Sequence, residues 1–123
     1  YTFDIFNNEF ILDKYIINET TSNILFNNSI IMKEGDYLQA VNYQNGQTFW
    51  IIQDAKISKT SSLIAVRENN NSIEIYFNNG DVLIIKNKEL IEKKNLKIGK
   101  INNISFVKQQ IIAHTKNGKI VIF

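Results

Sequence analysis

The chain has 123 residues, 44% of them hydrophobic and 21% charged, which is enough apolar material for a domain with a real core and argues against disorder. Its formal net charge is +2, and the 14 basic residues are scattered lysines with a single arginine, Arg67, so the clustered arginine-rich face of a nucleic-acid binder is missing. No cysteine is present, which excludes a disulfide framework and a thiolate metal site, and no run approaches the ~20 apolar residues of a membrane-spanning helix.

Taken in chain order, the sequence reads as short strands separated by turn residues. Runs rich in β-branched and aromatic residues recur, among them Ser29–Lys33, Ser72–Phe77, Asp81–Ile85 and Gln110–Thr115. Between such runs sit Glu34-Gly35-Asp36, Asn78-Asn79-Gly80 and Lys116-Asn117-Gly118, where asparagine and glycine tolerate the positive φ that tight antiparallel hairpins require. These signals predict strands near 22–26, 29–33, 37–43 and 47–53, then near 62–67, 72–77, 81–86 and 89–95. The best helical candidate, Lys86 to Lys97, has good helix formers but is only about three turns long and lacks a convincing cap, so it is assigned to strands. Within it, Glu92-Lys93-Lys94-Asn95-Leu96-Lys97 is the one basic concentration, expected on a solvated outer strand. Proline is absent, as suits a chain made almost wholly of paired strands.

The hairpins repeat. Gly35-Asp36, Gly80-Asp81 and Gly118-Lys119 each follow one strand and open another, about 40 residues apart. The segment from Tyr1 to Ile11 overlays Asp81 to Ile91 without a gap: strand, asparagine turn, then a strand beginning with glutamate. So aligned, the chain divides into a partial unit over 1–19, full units over 20–57 and 58–98, and a partial unit over 99–123. Four antiparallel strands per ~40 residues is the period of a β-propeller blade. The expected fold is therefore all-β, about three blades' worth, with the remaining blades of the ring coming from further sequence or another chain. An ordinary sandwich or barrel of about a dozen short strands is the alternative, and the phase-matched overlay favours blades. The chain starts at Tyr1 without methionine, from which a removed signal peptide or upstream region is expected.

One stretch carries a specific motif. Residues 40–50 read Ala-Val-Asn-Tyr-Gln-Asn-Gly-Gln-Thr-Phe-Trp. This resembles the blade signature of the quinoprotein-like propellers, A-x-D-x-x-T-G-x-x-x-W. Ala40, Gly46 and Trp50 match it, while Asn42 stands for the aspartate and Asn45 for the threonine, both short polar residues able to bond local backbone in a turn. The resemblance implies that Trp50 docks against a neighbouring blade; the alternative is a core aromatic beside a hairpin. The second unit has Ile91 and Lys94, and the first Lys14 and Tyr15, where the tryptophan would fall. Within that superfamily a degenerate propeller without cofactor machinery is most similar to the BamB family, bacterial outer-membrane lipoproteins that scaffold assembly of β-barrel proteins. That resemblance implies a periplasmic place, anchored at the outer membrane, and a protein partner in an outer-membrane assembly machine.

Catalytic signals are missing from the sequence. A triad, zinc site or acid–base pair on the lone His114 would need partners that the spacing does not supply, and His114 is expected to be an ordinary strand residue. Asp36, Asp54 and Asp81 fall at turns, where aspartate is common for structural reasons. Asn18, Asn27, Asn70 and Asn103 head N-x-[ST] sequons, several of which are expected by chance in an asparagine-rich chain and which carry no information without a eukaryotic secretory context. No catalytic, cofactor-binding or metal-binding residue is assigned, and a non-enzymatic scaffold is expected. The alternatives are a segment of a quinoprotein dehydrogenase binding pyrroloquinoline quinone on the propeller axis, or an intracellular interaction propeller of the WD40 type. Partner-contacting anchors are sought in Tyr37, Tyr43 and Tyr76, each of which could equally be core.

Overall fold

The computed structural model describes residues 21–123, which form two compact units divided between Thr60 and Ser61. Among the described residues there are eleven strands and no helix, and none of the structure is long and apolar enough to cross a membrane as a helix. The predicted partial unit over 1–19, and the Tyr1–Ile11 half of the overlay, lie outside the described residues.

In the first unit β1 (Thr21–Phe26), β2 (Ser29–Glu34), β3 (Tyr37–Asn42) and β4 (Thr48–Gln53) form one antiparallel sheet in sequence order. Phe26 pairs with Ser29 and Glu34 with Tyr37, so both inner hairpins close on two residues, with Asn27 at φ 53° and Gly35 at φ 60° supplying the left-handed backbone. The middle strands read as near-continuous apolar runs because both faces are covered. Ile30, Ile31, Met32, Leu38, Ala40 and Val41 are all buried. One face gathers Ile30, Met32 and Val41, with Tyr43 at its margin.

The second unit holds two sheets. β5 (Leu63–Asn69), β6 (Ser72–Phe77), β7 (Asp81–Lys86) and β8 (Glu89–Asn95) again meander in order, and β9 (Ile101–Val107), β10 (Gln110–Thr115) and β11 (Ile120–Ile122) form a three-stranded meander beside them. Asn70 and Asn71 both take positive φ, as do Asn87 and Lys88, the backbone that two-residue turns between right-twisted strands demand. The Asn87–Lys88 turn splits the helical candidate over 86–97 into the end of β7 and the whole of β8. The two sheets pack through Ala65, Tyr76, Val82 and Ile84 on one side and Ile101, Ile104 and Ala113 on the other. β7 is buried along nearly its whole length, whereas β8 is almost entirely exposed, as expected of a solvated outer strand carrying Glu92, Lys93 and Lys94.

Candidate functional site

The motif over 40–50 folds into the turn between β3 and β4. Asn42 accepts hydrogen bonds on Oδ1 from the backbone N–H of Gln44 (2.8 Å) and Asn45 (3.3 Å), and its own N–H donates to the carbonyl of Gln47 (2.7 Å). Asn45 Oδ1 accepts from the Gln47 N–H at 2.9 Å. Gly46, at φ 76°, donates its N–H to the Asn42 carbonyl at 2.8 Å. What positions 42 and 45 must supply is a side-chain oxygen close to its own backbone, and asparagine supplies it as well as aspartate or threonine. Ala40 stands directly opposite Trp50 across the β3–β4 ladder, with a register shift next to it that accommodates Phe49. A methyl group at 40 leaves room for the indole, and both residues are buried. Trp50 and Ile52 point to the buried side, while Phe49 and Ile51 on the same outer strand are exposed.

A second polar constellation lies in the other unit, where sequence reasoning singled out only Tyr76, as a candidate partner contact. Glu74 is only 7% exposed, in the middle of the apolar strand β6. Its carboxylate accepts from Arg67 Nε at 2.6 Å, from the Tyr76 hydroxyl at 2.5 Å (both at Oε1) and from Asn69 Nδ2 at 2.9 Å at Oε2. The Arg67 guanidinium sits 5.0 Å over the Phe106 ring, and that ring lies 5.3 Å from Tyr76, tilted by 57°. Burial works to raise the Glu74 pKa, but the hydrogen bonds from Tyr76, Asn69 and Arg67 outweigh it and hold the carboxyl below its ordinary range. Burial and then the Glu74 carboxylate push the Tyr76 phenol far above its usual value, so the hydroxyl stays a donor. A carboxylate held ionised and occupied by three donors is a structural anchor, not a poised base. The signal was in the sequence. With Asn70-Asn71 as a two-residue turn, Arg67 and Glu74 fall at equal distances from it and must face each other.

The turn aspartates behave as structure too. Asp81 is buried and receives Nδ2 of Asn79 (3.0 Å) and of Asn95 (2.9 Å), with Lys93 Nζ 3.6 Å away. Asp54 Oδ1 accepts from the Lys56 N–H at 2.8 Å, and Asp36 Oδ1 accepts from Gln53 Nε2 at 3.4 Å. His114 is exposed on β10, opposite Asn103 and Ile120. Among the described residues no group of three or more histidine, aspartate or glutamate side chains could hold a metal ion. Of the three candidate anchors, Tyr76 is core, in the packing between the two sheets, whereas Tyr37 and Tyr43 are half-buried. Within the first unit Tyr43 lies in the motif turn itself and Tyr37 at the start of β3.

Meanders of four short antiparallel strands with doubly buried middle strands and a more exposed outer strand are the blades of a β-propeller, and the chain has that fold. Among solved structures it is similar to BamB from Moraxella catarrhalis, at 20% identity and a TM-score of 0.59, covering 81% of this chain and 30% of that one. It is also similar to the computationally designed Ika4 protein (12% identity, TM-score 0.55, covering 82% of this chain and 62% of that one). A third likeness is to the complex of the fission yeast SREBP–SCAP binding domains (15% identity, TM-score 0.57, covering 89% of this chain and 35% of that one). In each case the chain spans less than two thirds of the structure it matches, and at these identities the likeness is one of fold. No family model and no curated protein matches the sequence.

Proposed function

We propose that this chain belongs to a non-enzymatic, protein-binding β-propeller of the BamB type, acting in the bacterial periplasm as a scaffold in assembly of outer-membrane β-barrel proteins. The likeness to BamB carries the reading, and the 40–50 motif supports it in that Asn42 and Asn45 bond the local backbone of the turn ahead of Trp50. Rigid blades present short loops and outer strands, a geometry suited to holding a partner. The exposed apolar side chains Phe49 and Ile51 on β4 are contact groups of the kind protein interfaces use. In this reading Trp50 docks against a neighbouring blade and does not touch the partner.

The fission yeast likeness favours a second reading, an intracellular interaction propeller. The two are separated by incubating the complete protein with purified outer-membrane assembly machine and, in parallel, by fractionating the cells that make it. Co-purification with the machine and recovery in the periplasmic or outer-membrane fraction are expected. A cytosolic protein with no affinity for the machine would sink the first reading. Pyrroloquinoline quinone should neither bind nor support oxidation of an alcohol or sugar; tight binding with quinone-dependent turnover would overturn both readings.

A further inference from the structure

Three asparagine–glycine pairs lie in turns of the chain, at 45–46, 79–80 and 117–118, and their surroundings differ sharply. An Asn-Gly bond is chemically fragile. The backbone nitrogen of the glycine attacks the asparagine amide carbon, a new C–N bond closes a five-membered succinimide, and the side-chain nitrogen leaves as ammonia. A water molecule then opens the ring to aspartate or isoaspartate. Glycine permits this because it has no side chain to obstruct the rotation that brings the two groups together. The fold decides whether the rotation is possible.

At Asn79 it is blocked. Its Oδ1 accepts from the Asp81 N–H at 3.0 Å, and its Nδ2, the nitrogen that must leave, donates to Asp81 Oδ2 at 3.0 Å. Gly80 is buried, and Asn95 packs 3.2 Å from the position a Cβ would take there. The Gly80 N–H donates to the Phe77 carbonyl at 3.0 Å. A nearby carboxylate also opposes the negative charge that develops on ring closure.

At Asn117 the packing against the glycine is missing, and among the described residues no carboxylate holds the leaving nitrogen. Asn117 and Gly118 are both exposed, and nothing lies within 4 Å of the Cβ position at Gly118. Asn117 lines an open surface groove with Lys100 and Lys116, whose positive charge favours the developing anion. Its Oδ1 accepts the Thr115 hydroxyl at 2.5 Å, which polarises the amide carbon toward attack. Among the described residues the nucleophile is restrained only by the bond from the Gly118 N–H to the Thr115 carbonyl, at 3.1 Å. Asn45 is intermediate: exposed, but with Gly46 held to the Asn42 carbonyl at 2.8 Å and its own Oδ1 engaged by Gln47.

The geometry points to Asn117 as a site of spontaneous deamidation in the folded protein, with Asn79 guarded by Asp81. Conversion at 117 adds a negative charge to the turn, and the isoaspartate product adds a carbon to the backbone just before β11, which is held to β10 by three residue pairs. The test is incubation of the purified chain in mildly alkaline buffer, native and in concentrated urea, followed by peptide mass spectrometry and isoaspartate detection at each site. In urea all three sites should convert at rates within a few-fold of one another. In the native chain the slowing relative to urea should be at least about tenfold greater at Asn79 than at Asn117, since at least one charge-assisted bond must break first at Asn79. Asp81→Ala, checked for retained β structure, should bring Asn79 close to the rate of Asn45. Equal slowing at Asn79 and Asn117, or no conversion at Asn117 while the urea-treated chain converts fully, would overturn the proposal. The native-to-urea ratios decide it even where Asp81→Ala unfolds the chain.

Discussion

Glu74→Gln changes one atom's charge and nothing of the shape, so it isolates what the carboxylate does in the second unit. The native carboxylate accepts three hydrogen bonds and donates none. Glutamine keeps one acceptor oxygen and replaces the other with an NH2 that faces a donor, either Asn69 Nδ2 or the pair formed by Arg67 Nε and the Tyr76 hydroxyl. At least one donor is therefore stranded, and Arg67, with its side chain 19% exposed, loses its counter-charge. A hydrogen bond to a charged group contributes about 1.5–3 kcal/mol, and breaking a buried pair costs up to about 5. Because Arg67 keeps some access to water and its stack on Phe106, a loss of about 2–4 kcal/mol is expected from urea unfolding. Arg67→Met and the double variant close a cycle whose coupling should reach about 1–3 kcal/mol. The double variant should recover much of the loss, since Met removes the stranded cation and keeps apolar contact with Phe106. A cost below about 0.5 kcal/mol for Glu74→Gln, or strict additivity in the cycle, would refute the idea that the pair acts as a unit.

The same network sets a pH dependence. Glu74 has its folded pKa held below the ordinary value of 4.5, so its contribution is complete above that value and is lost as the pH falls through the folded pKa; the stability gap between wild type and Glu74→Gln should be flat near neutrality and shrink in acid. Lys33 is 1% exposed, and its Nζ has no hydrogen-bond partner among the described residues. Burial lowers its pKa while Asp36 opposes the shift, so the penalty is greatest where the amine is protonated and eases as the pH rises. Lys33→Met should therefore stabilise by about 1–3 kcal/mol near neutrality, with a gain that declines toward alkaline pH; a destabilised variant in thermal melts would show that the ammonium is satisfied. Trp50→Ala should cost about 3–5 kcal/mol in the complete protein if the indole packs between blades, whereas a cost under about 1 kcal/mol by denaturant unfolding would make it peripheral.

Strand boundaries were legible to within about two residues because the turns announce themselves chemically. Two-residue loops of asparagine, or of asparagine and lysine, take positive φ at Asn70, Asn71, Asn87 and Lys88, and each such loop fixes the register of the strands on both sides. The stretch from Lys86 to Lys97 has helical composition, yet it pairs along β7, where ladder hydrogen bonds outweigh an intrinsic preference of a few tenths of a kcal/mol per residue. Less legible was the fate of the tyrosines. Tyr76 alternates with Glu74 and Ile75 in a way that fits either an edge or a core strand. What settles it is Phe106, thirty positions on in another sheet, whose approach no local pattern announces. The Arg67–Glu74 pairing could have been read from the hairpin register, and Asn69, two residues further along the same face of β5, is the diagonal neighbour that supplies the third donor.

The division of labour between strands narrows where recognition can occur. β2, β3, β6 and β7 spend their side chains on cohesion and have little left to offer a partner. The outer strands differ in kind. β8 presents Glu89, Glu92, Lys93 and Lys94 with Ile91, a surface whose contacts salt would weaken within a Debye length of about 8–10 Å. β4 presents Phe49 at 38% and Ile51 at 53% exposure beside Thr48 and Gln53, with no charge on the strand. An apolar aromatic and a β-branched residue in extended backbone, on an edge not blunted by lysine, are what an adding strand or an apolar partner surface would engage. On the scaffold reading, then, β4 is the better place for a contact that must persist, and β8 for one that steers approach. The buried Trp50 lies between the two exposed apolar residues in sequence but faces the opposite way. Strand alternation thus lets three consecutive residues, Phe49, Trp50 and Ile51, serve the fold and its surface at once.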